Sequence, residues 1–458
     1  MQATVRSIVL LALLAAGSAG CRRAHAESTP HATASVAPTP APSAAPSSVD
    51  AGEAQASAAA TPAGTARPGP FNVILIAVDS LRADMPWAGY RRNIAPNLSR
   101  FERRAVNFTR GYAISPVTSR SVGPLLVGKY PSEMPRTGQF FTTYYPQNLF
   151  LGERLKPEGH RSVAVLAHAY FYGGGIKQGF DDYHLLSGTM LDDPEAKPTS
   201  ERLTVAAQRY IGRAADPKGE RRFFAYLHYM DPHSEYLEHE DGPDFGEDKR
   251  DLYDGEVYYT DRWVGALIAW VGKQPFGKQT AIIVTADHGE GFGEHGHYRH
   301  GYEVWEALVH VPLLVYVPGA EPRHIDTPRS HIDLAPTILE LMGVAADPPY
   351  RGQSWVSEIF GATPEPRPVV VDLPRDNLED RRRAVIDGDM KLIARGDDER
   401  WLLYDLGKDA KEKKNLTETD PGELRRMRKL YFDLSAKIPN EEIHGDVQLK
   451  NAPTGRKW

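Results

Sequence analysis

The sequence has 458 residues, a formal net charge of −6, and 41% hydrophobic and 25% charged residues, an ordinary composition for a folded globular protein. The mild acidity argues against nucleic-acid binding, because such proteins carry an excess of Lys and Arg, and we predict no nucleic-acid partner. It does not exclude an anionic substrate, since one metal ion can reverse the local charge. The single cysteine, Cys21, excludes an intrachain disulfide and a cysteine-rich zinc site.

Residues 1–21 have the pattern of an export signal. Arg6 precedes a short apolar run at residues 8–17, which is too short for a permanent membrane span. Small residues directly before Cys21 resemble the lipobox of bacterial lipoproteins, although Ser18 stands where a lipobox usually has Leu. We predict export and a lipid anchor on Cys21 in the bacterial cell envelope, at the periplasmic face or the cell surface. A plain secreted protein that is cleaved nearby is the alternative.

Residues 22–70 are mostly Ala, Pro, Ser, Thr and Gly, and such a segment cannot bury enough apolar surface to fold. We predict a disordered tether that separates the folded part from the membrane. Order is expected from Phe71, with a larger domain over residues 71–362 and a C-terminal subdomain over residues 363–458.

The folded part alternates between apolar runs and helical patterns. Runs of the kind that form strands buried on both faces lie at residues 72–78, 223–228, 281–286 and 311–317. Helical patterns lie at residues 261–271, 333–342 and 421–437. This alternation predicts an α/β fold with a large, mainly parallel sheet sandwiched by helices. Short strand-like pieces after residue 363 predict a small C-terminal α+β subdomain.

Polar residues follow two of these strands where they end. Asp79 comes directly after residues 72–78, and Asp287 and His288 come directly after residues 281–286. Ligands bind at the carboxyl ends of parallel strands, so these side chains are expected to meet. Two carboxylates and an imidazole suit a divalent cation. A helix N-cap is the alternative role for Asp79.

Motifs along residues 71–434 occur in the order found in a known family. The most specific is the stretch from Ala286 to Gly301, which contains Asp287-His288-Gly289-Glu290, His295 and His300. The others are residues 72–84, 94–101, 178–182, 231–233, 333–337, 403–406 and 415–416. Together they resemble the sulfatase family of the alkaline phosphatase superfamily. The resemblance implies a metal-centred site that attacks sulfate or phosphate esters, and it makes residues 71–362 the catalytic domain.

The nucleophile position departs from the family pattern, in which Cys or Ser is followed by x-Pro-Ser-Arg. Counting back from residues 125–131 puts Thr118 there, with Arg120 for the Pro and Val122 for the Arg. Thr cannot become the formylglycine of typical sulfatases. Superfamily members with an unmodified Thr cleave or transfer phosphodiesters: nucleotide pyrophosphatases, phosphoethanolamine transferases and lipoteichoic acid synthases. A metal at the hydroxyl would activate it. Ser119 and Ser121 are alternative nucleophiles, and Thr118 is alternatively the cap of a helix from Ser119.

Further site residues follow from the resemblance. His233 matches the position that contacts the substrate or protonates the leaving group, and His300 matches the residue that binds the ester oxygens. His228, His295 and His168 have weaker support. Ser80 replaces a second metal carboxylate, which favours one divalent ion (Ca, Mn, Mg or Zn) held by Asp79, Asp287, His288 and Thr118. Asp231 is a candidate ligand if a second ion binds.

The sequence therefore predicts a metal-dependent hydrolase of sulfate or phosphate esters with an anionic ester substrate. One alternative is a phosphodiesterase or phospho-group transferase acting on envelope glycans or lipids. Another is a catalytically inactive binding lipoprotein, which Val122 and Ser80 favour.

Overall fold

The computed structural model describes residues 69–187, 198–233, 235–346 and 350–441. The predicted signal, the lipid anchor on Cys21 and the tether up to residue 68 lie outside the described residues. Among the described residues, no helix has both the length and the apolar character that are needed to cross a bilayer.

The described strands and helices follow one another as an α/β chain with an all-antiparallel ending. The strands are β1 (Asn72–Val78), β2 (Val106–Phe108), β3 (Gly111–Tyr112), β4 (Arg161–Leu166), β5 (Asp182–Leu185), β6 (Phe223–Tyr229), β7 (Thr280–Ala286), β8 (His310–Val311), β9 (Leu313–Tyr316), β10 (Arg323–Ile325), β11 (Arg329–Ser330), β12 (Val369–Leu373), β13 (Arg382–Asp387), β14 (Met390–Arg395) and β15 (Arg400–Asp405). The α-helices are α1 (Pro96–Glu102), α2 (Thr118–Val127), α3 (Leu151–Leu155), α4 (Ser200–Ala214), α5 (Lys249–Gly272), α6 (Glu306–Val309), α7 (Leu334–Leu341), α8 (Val356–Ile359) and α9 (Pro421–Ser435).

The central sheet has eight strands in the order β10-β2-β9-β7-β1-β6-β4-β5. Strand β1 lies between β7 and β6 and is parallel to both, and β4 and β5 continue the parallel arrangement beyond β6. Strand β9 is antiparallel to β7 and to β2. The predicted α/β fold with a mainly parallel sheet is therefore confirmed.

The prediction of one continuous strand over residues 311–317 is wrong, because the structure has two strands there. Pro312 divides this segment into β8, which pairs with β3 in a three-stranded sheet, and β9, which belongs to the central sheet. Proline lacks the N–H that a ladder requires, so a break at this residue is physically expected.

The central sheet is covered on both faces, as its uninterrupted apolar strands require. Val73, Leu75 and Ala77 of β1 belong to a core that includes residues of α2, α3 and α7. The alternate residues Ile74 and Ile76 belong to a second core with residues of α1, α4 and α5. Since successive side chains of a strand point to opposite faces, this alternation shows that β1 is buried in the middle layer.

The C-terminal strands β12 to β15 form a separate antiparallel sheet, and α9 packs against it through Met427 and Tyr431. The predicted α+β subdomain is confirmed. Its helix ends at Ser435, two residues before the predicted end at Lys437.

Buried ion pairs join this C-terminal sheet to the larger domain. Arg120 in α2 donates to Asp376 at 2.6 Å, and each side chain is only 2% exposed. Lys391 in β14 is fully buried between Glu306 of α6 and Glu412, at 2.9 and 2.8 Å. An unpaired charge at any of these places would be costly, so the pairs fix the first turn of α2 and the start of α6 against the sheet.

The Arg120–Asp376 pair can be tested by Asp376→Asn, which keeps the carbonyl oxygen that accepts the backbone N–H groups of Leu378 and Glu379. The substitution leaves the Arg120 charge buried without a counter-charge. We expect the free energy of unfolding to fall by about 3 kcal/mol in urea titrations. The control is Asp433→Asn, which removes the exposed pair with Lys429 and should cost less than about 1 kcal/mol. Equal losses in the two variants would show that the buried pair does not brace α2.

Candidate metal centre and nucleophile

Neighbouring parallel strands place the predicted ligands together at one edge of the sheet. Asp79 follows β1, while Asp287 and His288 follow β7, and Val78 and Ala286 are paired in register at the two strand ends. All three ligand side chains are fully buried. One ligand atom from each lies within 4.8 Å of the others. The structure thus brings together the three residues that the sequence predicts, and the turn after Asp79 leads to no helix that it caps.

The Thr118 hydroxyl lies beside this cluster. Thr118 is the first residue of α2, and its Oγ1 is 3.0 Å from His288 Nε2 and 3.4 Å from Asp79 Oδ2. The N-cap of α2 is Val117, and no side chain caps the helix. The alternative prediction that Thr118 caps a helix starting at Ser119 is therefore wrong, and the hydroxyl is directed to the acidic cluster instead.

The two serines that follow do not compete for this position. The Ser119 hydroxyl donates to the carbonyl of Phe140 at 2.7 Å, and the Ser121 hydroxyl donates to the carbonyl of Asp287 at 2.6 Å. Both hydroxyls therefore hold backbone segments in place. Of the three candidate nucleophiles, Thr118 is the one whose oxygen contacts the acidic cluster.

The two buried carboxylates have opposite titration behaviour. Burial, followed by the charge of Asp79, raises the pKa of Asp287 well above its usual range. Burial alone would raise the pKa of Asp79, but the interaction with His233, followed by the hydrogen bond from His228, lowers it, and its pKa lies well below the usual value. Two buried carboxylates that lie close together repel each other when both are ionised, so without a cation between them one of the two pKa values is raised.

An unsatisfied oxygen shows that these residues fit a divalent cation. Asp287 Oδ1 accepts the N–H groups of Ser80 at 3.4 Å and His288 at 2.9 Å. Asp287 Oδ2 is buried and has no hydrogen-bond partner in the described chain. An orphaned carboxylate oxygen beside a second buried carboxylate and an imidazole is the donor set that Ca²⁺, Mn²⁺, Mg²⁺ or Zn²⁺ binds.

The imidazole of His288 is held in the form that a metal ligand needs. Its Nδ1 lies 2.9 Å from the carbonyl of Gly289, so we assign the proton to Nδ1 and the lone pair to Nε2. Burial, with a further contribution from His300, lowers the pKa of His288 to about 3. The ring is therefore neutral near pH 7, and Nε2 offers its lone pair toward the cluster.

His300 lies beside His288 and is paired with a buried carboxylate. Its ring lies 4.1 Å from the ring of His288, and its Nδ1 is 3.2 Å from Glu290 Oε1. Burial lowers the pKa of His300, but the buried Glu290 carboxylate raises it through its charge and its hydrogen bond. The upward effect is the larger one, so the net shift of the pKa is upward. The His233 ring is 5.0 Å from His300. Both histidines predicted from the resemblance therefore lie at the cluster.

Two weakly supported histidines also belong to the site, while a third does not. His228 Nε2 is 3.1 Å from Asp79 Oδ2, and the His168 ring is 5.3 Å from that of His233. Both come from the carboxyl ends of β6 and β4, so the rule that identified Asp79 would also have found them. His295 stacks on Trp305 at 3.9 Å and serves the packing of its loop.

Ser80 adopts a strained backbone where the sulfatase pattern has a second carboxylate. Its φ is +60°, its hydroxyl donates to Asp79 Oδ1 at 3.1 Å, and its carbonyl accepts the Tyr253 hydroxyl at 2.9 Å. Left-handed backbone at a serine is maintained only when its surroundings demand it. Here α5, which carries Tyr253, holds the turn that orients Asp79.

Asp231, the candidate ligand for a second ion, has another role. Its carboxylate accepts the N–H groups of Thr199 at 2.7 Å and Ser200 at 2.6 Å at the start of α4. Asp231 is therefore committed to the first turn of that helix, and the structure does not bring it into the cluster.

The other departures from the sulfatase pattern have structural explanations. Val122 is fully buried in the core beneath α2, so an arginine there would need a different helix packing. Arg120 is directed away from the cluster toward Asp376. The basic side chains near the cluster include four imidazoles, those of His168, His228, His233 and His300.

Two protein-family models match the part of the chain that forms this site and the C-terminal sheet. Residues 71–344 match the family model described as "Sulfatase", and residues 293–438 match the one described as "N-sulphoglucosamine sulphohydrolase, C-terminal". The "Ulvan-active sulfatase" of Formosa agariphila is 25% identical over 343 residues, which cover 64% of this chain and 66% of that protein.

Solved structures show the same fold. A protein named Ps i-CgsB, in complex with k-i-k-neocarrahexaose, superposes with a TM-score of 0.69 at 20% identity and covers 82% of this chain and 95% of its own. The phosphonate monoester hydrolase of Agrobacterium radiobacter superposes with a TM-score of 0.67 at 18% identity. The superposition covers 84% of this chain and 100% of that protein's chain.

Asp287→Asn tests the metal centre in two ways, through the thermal stability of the protein and through its metal content. Because the pKa of Asp287 is higher in the folded protein than in the unfolded chain, this carboxyl destabilises the metal-free fold as the pH rises above its unfolded value. The metal-free variant should therefore unfold at the same or a higher temperature than the parent at pH 8. Mn²⁺, Ca²⁺, Mg²⁺ or Zn²⁺ should raise the unfolding temperature of the parent but not that of the variant. Calorimetry after chelation, with and without each ion, and elemental analysis measure both effects. Equal metal content and equal stabilisation in the two proteins would rule out Asp287 as a ligand.

Proposed function

Because the chain belongs to the sulfatase family, we propose that it is a metal-dependent hydrolase of sulfate esters in which Thr118 is the unmodified nucleophile. The observation that carries the proposal is the contact of Thr118 Oγ1 with His288 at 3.0 Å and with Asp79 at 3.4 Å. An alcohol is a weak nucleophile near neutral pH and needs such an environment to react.

The donor set explains how the alcohol would be activated. Asp79, Asp287, His288 and Thr118 would hold one divalent ion, which supplies a lowered pKa for the hydroxyl and neutralises charge on the ester oxygens. Asp79 is itself oriented by His228, at 3.1 Å, and by the strained turn at Ser80. These contacts keep the carboxylate and the hydroxyl in place before the substrate arrives.

The site also offers positive potential where an ester anion would lie. Thr118 begins α2, a ten-residue helix, and a helix N-terminus favours anionic groups. His300 adds an imidazole whose pKa is raised by the paired Glu290 carboxylate, which favours its protonated form. The sulfuryl oxygens would therefore lie between the first turn of α2 and the His300 ring, with sulfur beside Thr118 Oγ1.

The reaction proceeds in two displacements. In the first, the Thr118 hydroxyl gives up its proton to solvent water, Oγ1 bonds to sulfur, the ester S–O bond breaks, and the departing alcohol oxygen takes a proton from His233. In the second, a water oxygen bonds to the sulfur of the threonine sulfate ester and the S–O bond to Thr118 breaks, so that sulfate leaves. One water proton returns to His233 and the other restores the Thr118 hydroxyl. His233 suits the acid role because its ring adjoins that of His300 at 5.0 Å and lies on the same side of the cluster.

The second candidate function is hydrolysis or transfer of phosphodiesters or phosphonate monoesters. It is favoured by the threonine itself, which cannot form formylglycine. The same covalent step can take place at sulfur or at phosphorus. One protein of the same fold is a phosphonate monoester hydrolase. A transferase would differ only in its acceptor, an envelope glycan or lipid in place of water. Anchoring through Cys21 in the cell envelope would place the site beside such acceptors.

The inactive binder is less consistent with the geometry. Val122 lies in the core, and Ser80, which stands in place of a second carboxylate, donates to Asp79, so the cluster of Asp79, Asp287 and His288 is kept. A protein that only binds an ester has no need for a hydroxyl in contact with a buried His–Asp pair.

Thr118 variants test the chemistry. We expect Thr118→Ala to lower kcat on aryl sulfate, aryl phosphate, bis-aryl phosphate and aryl phosphonate monoesters by at least about 10³-fold, because the covalent step is lost. Thr118→Ser should retain at least about a tenth of the activity on the preferred ester. Rapid acid quenching of the parent, followed by peptide mass spectrometry, should find one sulfuryl or phosphoryl group on Thr118.

The control is Ser119→Ala, whose hydroxyl contacts a backbone carbonyl and should be dispensable for the covalent step. Turnover that survives Thr118→Ala but not Ser119→Ala would contradict the proposed nucleophile. Absence of turnover on all four esters with every metal would favour the binder. The ratio of sulfate to phosphate activity separates the first candidate from the second.

A further inference from the structure

Glu290 is a fully buried carboxylate that joins two segments of the site, the His300 loop (residues 289–300) and the segment after His233 (residues 235–239). Its Oε1 lies 3.2 Å from Nδ1 of His300 and accepts the N–H of Gly291, also at 3.2 Å. Its Oε2 accepts the hydroxyl of Tyr236 at 3.0 Å. Both carboxylate oxygens are therefore engaged, one within the His300 loop and the other by the segment after His233.

The position of the Tyr236 hydroxyl is fixed by the packing around it. Its ring makes an edge-to-face contact with Tyr253, with centroids 5.7 Å apart, and lies 5.9 Å from the Phe292 ring. The backbone N–H of the next residue, Leu237, donates to the buried carboxylate of Glu256 in α5 at 2.7 Å. Since Tyr253 also belongs to α5, this helix holds Tyr236 through both its ring and the neighbouring backbone.

The hydrogen bonds from Tyr236 through Glu290 to His300 have a defined direction. Burial, followed by the charge of Glu290, raises the pKa of Tyr236, so its hydroxyl keeps the proton and acts as the donor. An ionised carboxylate only accepts hydrogen bonds, so we assign a proton to His300 Nδ1, which faces Glu290. Ser80 Oγ lies 3.5 Å from the same nitrogen, at the limit of a hydrogen bond. Nε2 is then the ring nitrogen of His300 that remains for the ester oxygens.

A second contact between the two segments is exposed and contributes less. Arg299 lies 3.0 Å from Glu235, but their side chains are 61% and 86% exposed. A pair of this kind gains little, because water screens it and two long side chains must be ordered. A hydrogen bond to a buried charged group is stronger, and removal of its donor leaves a carboxylate oxygen unsatisfied. The contact between Tyr236 and Glu290 is therefore the one that joins the two segments.

We propose that Tyr236 and Glu290 are positioning residues that act through His300. Their hydrogen bond keeps the His300 ring in place for the ester oxygens and next to His233, whose ring is 5.0 Å away. The inference rests on the proposed function, because His300 must bind the ester for its position to affect turnover. Without the Tyr236 hydroxyl, Glu290 is free to turn toward another donor, and the His300 ring is no longer fixed beside the leaving-group acid.

A double-mutant cycle shows whether Tyr236 acts through His300 or only supports the local fold. The Mn²⁺-loaded full chain is assayed on aryl sulfate, aryl phosphate, bis-aryl phosphate and aryl phosphonate monoesters, and kcat/KM is determined on the ester that the parent hydrolyses fastest. We expect Tyr236→Phe to lower kcat/KM about tenfold, because a hydrogen bond to a buried carboxylate is lost. In a chain that already carries His300→Ala, the same substitution should lower kcat/KM by less than about twofold.

Two further variants complete the test. Glu290→Gln should lower kcat/KM about tenfold or more, and adding Tyr236→Phe to it should cost less than about threefold further. Tyr298→Phe, the control, removes a hydroxyl from an exposed tyrosine of the His300 loop and should leave kcat/KM within about twofold of the parent. The inference is overturned if Tyr236→Phe has the parent kcat/KM, or if its loss is equally large in the His300→Ala chain. An inactive parent, or a parent-like kcat/KM in His300→Ala, would contradict the proposed function, and this inference with it.

Discussion

The proximity of two buried carboxylates, Asp79 and Asp287, is the constraint on which the site depends. Neither side chain has access to solvent, and Asp287 Oδ2 has no hydrogen-bond partner among the described residues. Two such charges are unfavourable together unless a cation lies between them, so the fold maintains an arrangement that metal binding would relieve. The neutral imidazole of His288 and the hydroxyl of Thr118 complete this environment. The proposed activation of the Thr118 hydroxyl follows from the charge that a bound ion would bring.

The rest of the molecule keeps these groups in position. Strands β1 and β7 are paired in register up to the residues that precede the carboxylates, and α5 holds the strained turn at Ser80 through Tyr253. The C-terminal sheet braces α2 through Asp376 and the start of α6 through Lys391. The two ion pairs are buried and charge-assisted, so the positions of α2 and of the start of α6 depend on the C-terminal sheet.

Much of the fold and of the site could be predicted from the sequence, for identifiable reasons. Strand β1 is predicted with its observed bounds because its apolar run is continuous and ends at a charged residue. His228 and His168 have only weak support from the sequence, because the strand-end rule identifies a histidine as a site residue only where the preceding strand and its place in the sheet are known. The arginine at position 120 could not be interpreted either, since its partner Asp376 lies 256 residues away. Sequence patterns report local periodicity, whereas these contacts depend on tertiary packing.

The most direct measurement is a crystal structure of the metal-loaded protein with anomalous diffraction from bound Mn²⁺. We expect one anomalous peak within about 2.0–2.6 Å of oxygen or nitrogen atoms of Asp79, Asp287 and His288, with Thr118 Oγ1 also in contact with the ion. A fully active protein with no ion between these carboxylates, or with its ion out of reach of the Thr118 hydroxyl, would contradict the central claim.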